Sequence, residues 1–162
     1  MPNARRFAPA ALLVGGSAVL AGVVVTLATP PYAGARVPAA PDLPWPTTVA
    51  ATERRLPFAL LYVDSHCPHC SRAAVLVDSV FIARGMRAVV VTSDSPDTAA
   101  AYERHLGLHF AVRSDSASAL MHAIGTRSVP SLVLFHADGS RQLVVGFTHE
   151  ASFRRVLAEF EP

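Results

Sequence analysis

The residues most able to do chemistry in this chain are its two cysteines, Cys67 and Cys70, in the stretch VDSHCPHCS. Thiols at this spacing can bind a metal, form a structural disulfide or exchange electrons through a reversible disulfide. Zinc usually takes four ligands, and adding His66 and His69 would crowd all four into one turn. Copper binding by the cysteines with a remote histidine stays open, as does an inert disulfide. Redox exchange is the interpretation that the surrounding pattern favours.

The position of the pair is the reason for that preference. Cys67 follows the apolar run FALLYVD, which predicts a buried strand, and Cys70 falls in the first turn of a helix predicted from Pro68 to about Arg84. Free N–H groups and the positive end of the helix dipole favour a thiolate at Cys67. The spacing lets Cys70 close a disulfide with Cys67 after attack on a substrate. We therefore predict Cys67 as the nucleophile and Cys70 as the resolving thiol.

The segments that must position this pair alternate between strand and helix in the order β-α-β-α-β-α-β-β-α. Ser95 and Pro96 mark the start of the second helix, and Gly107 its end. The segments SLVLFH and RQLVVGF flank the turn ADG and predict a hairpin. The fold class is thus α/β, with parallel strands first, an antiparallel pair last, and one mixed sheet flanked by helices.

The first 46 residues differ from the rest. Residues 7–28 carry no charge and are long enough to cross a bilayer, while Arg5 and Arg6 precede them in a basic segment, residues 1–6. The positive-inside rule predicts a cytoplasmic N-terminus and an exported remainder. A signal peptide cleaved near residues 33–35 is the alternative, and it also exports the domain. Disulfides persist outside the cytoplasm.

Residues 29–46 are rich in proline and predict an extended linker that holds a domain, residues 47–162, away from the membrane. The net charge of +2 gives no reason to propose nucleic acid as a partner. The sequence contains no lysine, which excludes Schiff-base chemistry.

From Leu56 to Phe160 the chain resembles the thioredoxin-fold superfamily. The resemblance is carried by CPHC after a strand, by SVPSLVLF about sixty residues later, and by ADGSRQLVVGF after that. It implies a thioredoxin-like sheet with a Cys67–Cys70 disulfide. It also implies a cis peptide bond between Val129 and Pro130, beside the disulfide, where the backbone binds a substrate peptide.

Within the superfamily, the middle section resembles the redoxin branch. That branch includes membrane-tethered thiol-disulfide reductases that serve cytochrome c maturation, and the peroxiredoxins. Peroxiredoxins place a threonine three residues before the reactive cysteine, where this chain has Asp64. The tethered reductases are therefore the better match.

Three positions depart from the pattern of thioredoxins and tethered reductases. His66 replaces the usual bulky apolar residue before the first cysteine, and Leu61 stands where thioredoxin has a buried acid. Asp64 and the Pro68–His69 dipeptide resemble the periplasmic disulfide oxidases, in which the histidine makes the disulfide strongly oxidising. The resemblance implies that Pro68 and His69 tune the redox pair and that Asp64 is a candidate proton acceptor for Cys70.

The sequence thus predicts a thiol-disulfide oxidoreductase on the periplasmic side of the inner membrane, anchored by a single span. Its expected partners are thiols and disulfides of exported proteins and a transmembrane electron carrier, and it needs no cofactor or metal. The direction of electron flow stays open. Two alternatives remain: an assembly subunit of a membrane complex with dispensable cysteines, and a copper metallochaperone.

Overall fold

The computed structural model describes residues 32–38, 42–145, 150–158 and 160. The predicted anchor, residues 7–28, and the basic segment before it lie outside these ranges. Among the helices that are described, none has the length and apolar character needed to cross a membrane.

Strands and helices follow one another as the sequence predicts from Phe58 onward, and two short strands precede them. The strands are β1 (Tyr32–Ala33), β2 (Val37–Pro38), β3 (Phe58–Val63), β4 (Ala88–Thr92), β5 (Val112–Ser114), β6 (Ser131–Phe135) and β7 (Ser140–Val145). The helices are α1 (Pro68–Ala83), α2 (Pro96–Leu106), α3 (Ala119–Ile124) and α4 (Glu150–Ala158).

The described strands form one mixed sheet in the order β1-β7-β6-β3-β4-β5, with β2 also paired to β7. β3 is parallel to β4, and β4 to β5, whereas β6 is antiparallel to both β3 and β7. All six residues of β3 are buried. A central strand covered on both faces needs such an uninterrupted apolar run. The predicted α/β class and the final hairpin are confirmed.

Local signals explain where α2 begins and ends. The Ser95 hydroxyl accepts a hydrogen bond from the Thr98 backbone N–H at 3.3 Å, and Pro96 occupies the first turn. Gly107 follows the last turn with φ 62°, a left-handed conformation that suits glycine. The predicted boundaries of this helix are confirmed.

Two apolar cores lie on opposite faces of the sheet. One packs α1, α2 and α4 against alternate residues of the central strands. The other packs α3 and the segment around Val49 against the remaining strand residues. On this second face Phe58 and Phe135 stack with ring centroids 4.5 Å apart, and Trp45 covers both from 5.8 and 5.9 Å.

The proline-rich segment differs from the expected spacer. Its described parts include two short strands, in which Tyr32 pairs with Val145 and Val37 pairs with Arg141. Trp45 then packs into the second core under the Arg54 guanidinium, which lies 5.1 Å from its ring. The domain therefore begins before residue 47, because these residues cover an edge and a face of the sheet that would otherwise meet solvent.

A domain that starts at residue 47 should be less stable than one that starts at residue 32. Removing Trp45 from its contacts with Phe58 and Phe135 should lower the free energy of unfolding by about 3 kcal/mol. Urea denaturation of both fragments measures the difference, and Trp45→Phe in the longer fragment should cost less than the truncation. Equal stability of the two fragments would contradict this packing.

Candidate active site

The cysteine pair lies where β3 turns into α1. Cys67 is the N-cap residue of α1, and its backbone N–H donates to the Asp64 carbonyl at 3.2 Å, closing a tight turn. Cys67 is partly exposed, whereas Cys70 is fully buried in the core beneath the first helical turn. One thiol can therefore meet a substrate while the other is held behind it.

Burial also sets the chemistry of Cys70. Its pKa is raised to about 12, first by burial, then by a hydrogen bond with the Cys67 side chain and by the charges of Cys67 and Asp64; a backbone hydrogen bond from Asp64 opposes the rise. Both cysteines are free thiols in this structure. The disulfide between them stays a prediction.

The second predicted component of the site is the segment before β6. The Val129–Pro130 peptide bond is cis, as the resemblance implied. Tyr62 of β3 is paired with Ser131, so Pro130 and the turn that leads to Cys67 lie at the same end of two neighbouring strands. Val129 and Cys67 pack against the same core. Substrate binding by Val129 and Pro130 stays a prediction.

Hydroxyl groups fix the backbone around the cis bond. Ser131 Oγ lies 2.6 Å from Thr126 Oγ1 and donates to the Ser128 carbonyl at 2.5 Å. The Thr126 hydroxyl also donates to the Ser128 carbonyl, at 3.1 Å. Hydrogen bonds within residues 126–131 therefore hold this segment, and its exposed side remains available to a ligand.

A second loop, from β4 to α2, supports the turn before Cys67. Asp94 Oδ2 accepts from the Ser65 N–H at 3.1 Å and from the Thr92 hydroxyl at 2.7 Å. Burial opposes ionisation of Asp94, but the bonds from Thr92 and Ser65 prevail and hold its pKa below the usual value. Asp94 is therefore an ionised anchor for the turn, a role that sequence reasoning missed.

Asp64, His66 and Asp94 are the set of described side chains whose ligand atoms lie close enough, within 4.8 Å, to share a metal ion. The set does not include the cysteines. Asp64 Oδ1 accepts the His66 N–H at 2.7 Å, and the His66 ring is largely exposed at 3.5 Å from Asp64. Because these carboxylates are engaged in bonds that shape the loop, we interpret the three residues as a structural turn.

The remaining residues predicted from the sequence differ in their exposure to solvent. Pro68 and His69 are exposed on the first turn of α1. Leu61, which replaces the buried acid of thioredoxin, is fully buried in apolar surroundings. Asp64 is partly exposed and lies in the turn between β3 and α1. The carboxylate whose charge acts on Cys70 is therefore Asp64, because the β3 interior has Leu61 in place of an acid.

Two tyrosines near the site were not singled out from the sequence. Tyr102 of α2 is buried, and its hydroxyl donates to Ser71 Oγ at 3.4 Å. Its pKa is raised mainly by burial, with further contributions from the charges of Cys70 and Cys67. Its sequence signal is that of an ordinary core residue at helical spacing.

The second tyrosine links β3 to α3. The Tyr62 hydroxyl donates to Asp115 Oδ2 at 2.9 Å, and burial with this carboxylate raises its pKa. The same Asp115 carboxylate accepts from the N–H groups of Ala119, Leu120 and Met121 and so caps α3. The bond between Tyr62 and Asp115 therefore fixes the end of β3, from which the turn to Cys67 begins.

Alkylation of the reduced, folded protein at about pH 8 should modify Cys67 and spare Cys70, because burial and a pKa of about 12 keep Cys70 protonated. Peptide mass spectrometry after a timed reaction with iodoacetamide identifies the modified thiol. Unfolding in urea removes the burial and should make both thiols reactive. Equal rates in the folded protein would contradict the asymmetry.

No family model matches the sequence, and no curated protein matches it. Solved structures do match the fold. A secreted disulfide oxidoreductase of Mycobacterium tuberculosis homologous to E. coli DsbE is 19% identical, with a TM-score of 0.50 over 54% of this chain and 66% of that one. The dsbF protein of the same organism is 20% identical, with a TM-score of 0.55 over 63% and 79%.

A third matching structure is named as a peroxidoxin. The peroxidoxin BcpB of Mycobacterium tuberculosis is 18% identical, with a TM-score of 0.50 over 63% of this chain and 76% of that one. At 18–20% identity these three likenesses are likenesses of fold. The described part of this chain has the thioredoxin fold, with the Cys67-x-x-Cys70 pair at the start of its first long helix.

Proposed function

We propose that the protein is a thiol-disulfide oxidoreductase that reduces or exchanges disulfides in exported proteins. The observation that carries this proposal is the asymmetry of the cysteine pair. Cys67 is accessible at a helix N-terminus, and Cys70 is buried behind it, with its backbone N–H donating to the Cys67 carbonyl at 2.9 Å. A structural disulfide or a metal site does not need one accessible and one inaccessible thiol.

The exchange proceeds through two thiolate attacks. The Cys67 thiolate attacks one sulfur of a substrate disulfide, which forms a mixed disulfide and releases one substrate thiolate. Cys70 then loses its proton and attacks the Cys67 sulfur, which forms the Cys67–Cys70 disulfide and releases the second substrate thiolate. The substrate gains two electrons and two protons. The reverse sequence oxidises a substrate dithiol.

Asp64 supports the second attack. With a pKa of about 12, Cys70 must give up its proton at the moment it attacks, and the Asp64 carboxylate is one of the charges that act on it. Asp64 is partly exposed, so it can pass the proton to solvent. We assign it as the proton acceptor.

The segment of the cis bond, Val129 and Pro130, provides the substrate site. Pro130 and Val129 lie at the same end of the sheet as Cys67, and hydrogen bonds within residues 126–131 fix their backbone. An extended substrate segment that pairs with this backbone would present its disulfide to Cys67. His69, exposed beside the pair, would tune the potential together with Pro68.

We place the protein at the inner membrane, with residues 7–28 as its anchor and the domain on the periplasmic side. The uncharged run and the arginines before it support this assignment. Electrons for a reductase would come from a transmembrane carrier, because the two cysteines are the chain's entire thiol content. A role in cytochrome c maturation fits both this topology and the structural likeness to a protein homologous to DsbE.

Replacing Cys67 with serine should abolish disulfide exchange, because the attacking sulfur is lost. Replacing Cys70 with serine should instead trap mixed disulfides, because the resolving attack cannot occur. Reduction of insulin disulfides and non-reducing gel electrophoresis measure the two effects. Ser71→Ala, at the neighbouring partly buried position, is the control and should keep activity within about threefold. Exchange that survives Cys67→Ser would refute the proposed function.

A further inference from the structure

A histidine is buried at the end of the sheet opposite the cysteine pair. His136 directly follows β6, and 5% of its surface is exposed. Its backbone belongs to the hairpin turn, because its N–H donates to the Ser140 carbonyl at 2.8 Å and its carbonyl accepts the Gly139 N–H at 3.0 Å. The proposed disulfide exchange does not involve this imidazole.

The ring of His136 contacts the C-terminal part of the chain. It lies edge-on to the Phe160 ring, with centroids 5.1 Å apart and planes at 69°. The Phe160 N–H donates to the Leu157 carbonyl at 3.1 Å, so Phe160 continues from the last turn of α4. Phe160 also stacks on Phe81 of α1 at 6.5 Å. His136 therefore supports the residue through which the end of α4 packs on α1.

One nitrogen of this imidazole lacks a hydrogen bond. Nε2 of His136 is buried, and within the described part of the chain no group bonds to it. A neutral imidazole needs an acceptor for one nitrogen, whereas a protonated imidazole has an N–H on both nitrogens and a charge. Burying that charge without an acceptor is costly. The site therefore fits the neutral ring and disfavours the protonated one.

The groups around His136 come from several elements. Among the residues that the structure describes, the charged side chains that act on it are Arg36, from the N-terminal segment, and Asp138, from the turn between β6 and β7. Burial lowers the pKa of His136 below its ordinary value, and the charge of Arg36 lowers it further. The charge of Asp138 and a hydrogen bond with Gln142 oppose this shift. From α4 the contact is the uncharged Phe160.

We infer that the contact between His136 and Phe160 is acid-sensitive and that protonation of His136 releases α4 from the core. When Phe160 moves away, the imidazole meets water and binds a proton without the cost of burial. Phe153, Leu157 and Phe160 share one core with Cys70. Acid would thus loosen the core that buries the resolving thiol, a consequence that rests on the proposed function, whereas the release itself does not.

The direction of the pH dependence follows from the two states of the ring. A released histidine titrates at its ordinary pKa of about 6.5, whereas the pKa of the buried His136 is lower. The docked state of α4 therefore keeps its full stability above about pH 6.5. It loses stability as the pH falls from there towards the pKa of the buried ring.

Hydrogen exchange followed by mass spectrometry tests the release. The full chain in nonionic detergent is compared with His136→Gln, whose side chain gains no charge, at about pH 7.5 and about pH 5. His105→Gln, at an exposed position of α2, is the matched control. Each comparison is made between proteins at one pH, so the intrinsic pH dependence of exchange cancels. His136→Phe, also uncharged, replaces His136→Gln if that variant does not fold.

The measured quantity is the exchange rate of α4 peptides in the unchanged chain divided by the rate in the variant. For His136→Gln this ratio should rise by up to about thirtyfold from about pH 7.5 to about pH 5, because a histidine with a pKa of about 6.5 is then mostly protonated. For His105→Gln it should stay constant within about twofold. Peptides of β3 should show no such rise, which separates release of α4 from unfolding of the whole domain. A ratio for His136→Gln that does not change with pH, or an equal rise in β3, would overturn the inference and leave the proposed redox chemistry intact.

Discussion

The pairing of β3 with β6 is the constraint on which the site depends. Because Tyr62 is opposite Ser131, the turn that leads to Cys67 and the cis bond before Ser131 must lie at one end of the sheet. The antiparallel register extends through β7 to β1, so the same row fixes where the N-terminal segment joins the domain. A shift of one residue would exchange the side chains that β3 sends to the two cores, so the different packing of those cores fixes the register.

The two thiols differ in exposure because α1 packs one of its faces against the sheet, and the neighbouring residues in the sequence do not set this difference. Cys70 lies on the face of α1 that packs into the core, whereas Cys67 is the N-cap residue at the end of the helix. Burial then keeps Cys70 protonated, and the charge of Asp64 becomes relevant to its reaction. Asp94 holds the turn from the next loop, so the nucleophile is positioned by contacts outside the CPHC motif.

Local signals were enough to predict much of this arrangement. The apolar run of β3, the Ser95 cap and the hairpin around Gly139 are short-range patterns, and the family resemblance supplied the cis bond at Pro130. The contacts of Asp94 with Ser65 and of Tyr62 with Asp115 join residues 29 and 53 positions apart, so no periodicity shows them. β1 and β2 have two residues each in a proline-rich segment, and only their pairing with β7 defines them as strands.

Cys67 and Cys70 are proposed to form a reversible redox pair, and the reduction potential of that pair is the first quantity to measure. The domain from residue 32 onward would be equilibrated with glutathione and dithiothreitol buffers, and the disulfide fraction measured by thiol labelling. We expect a reversible disulfide with a potential between about −120 and −270 mV, the range of disulfide donors and thioredoxin. A potential below about −300 mV, typical of structural disulfides, or no disulfide at all, would contradict it.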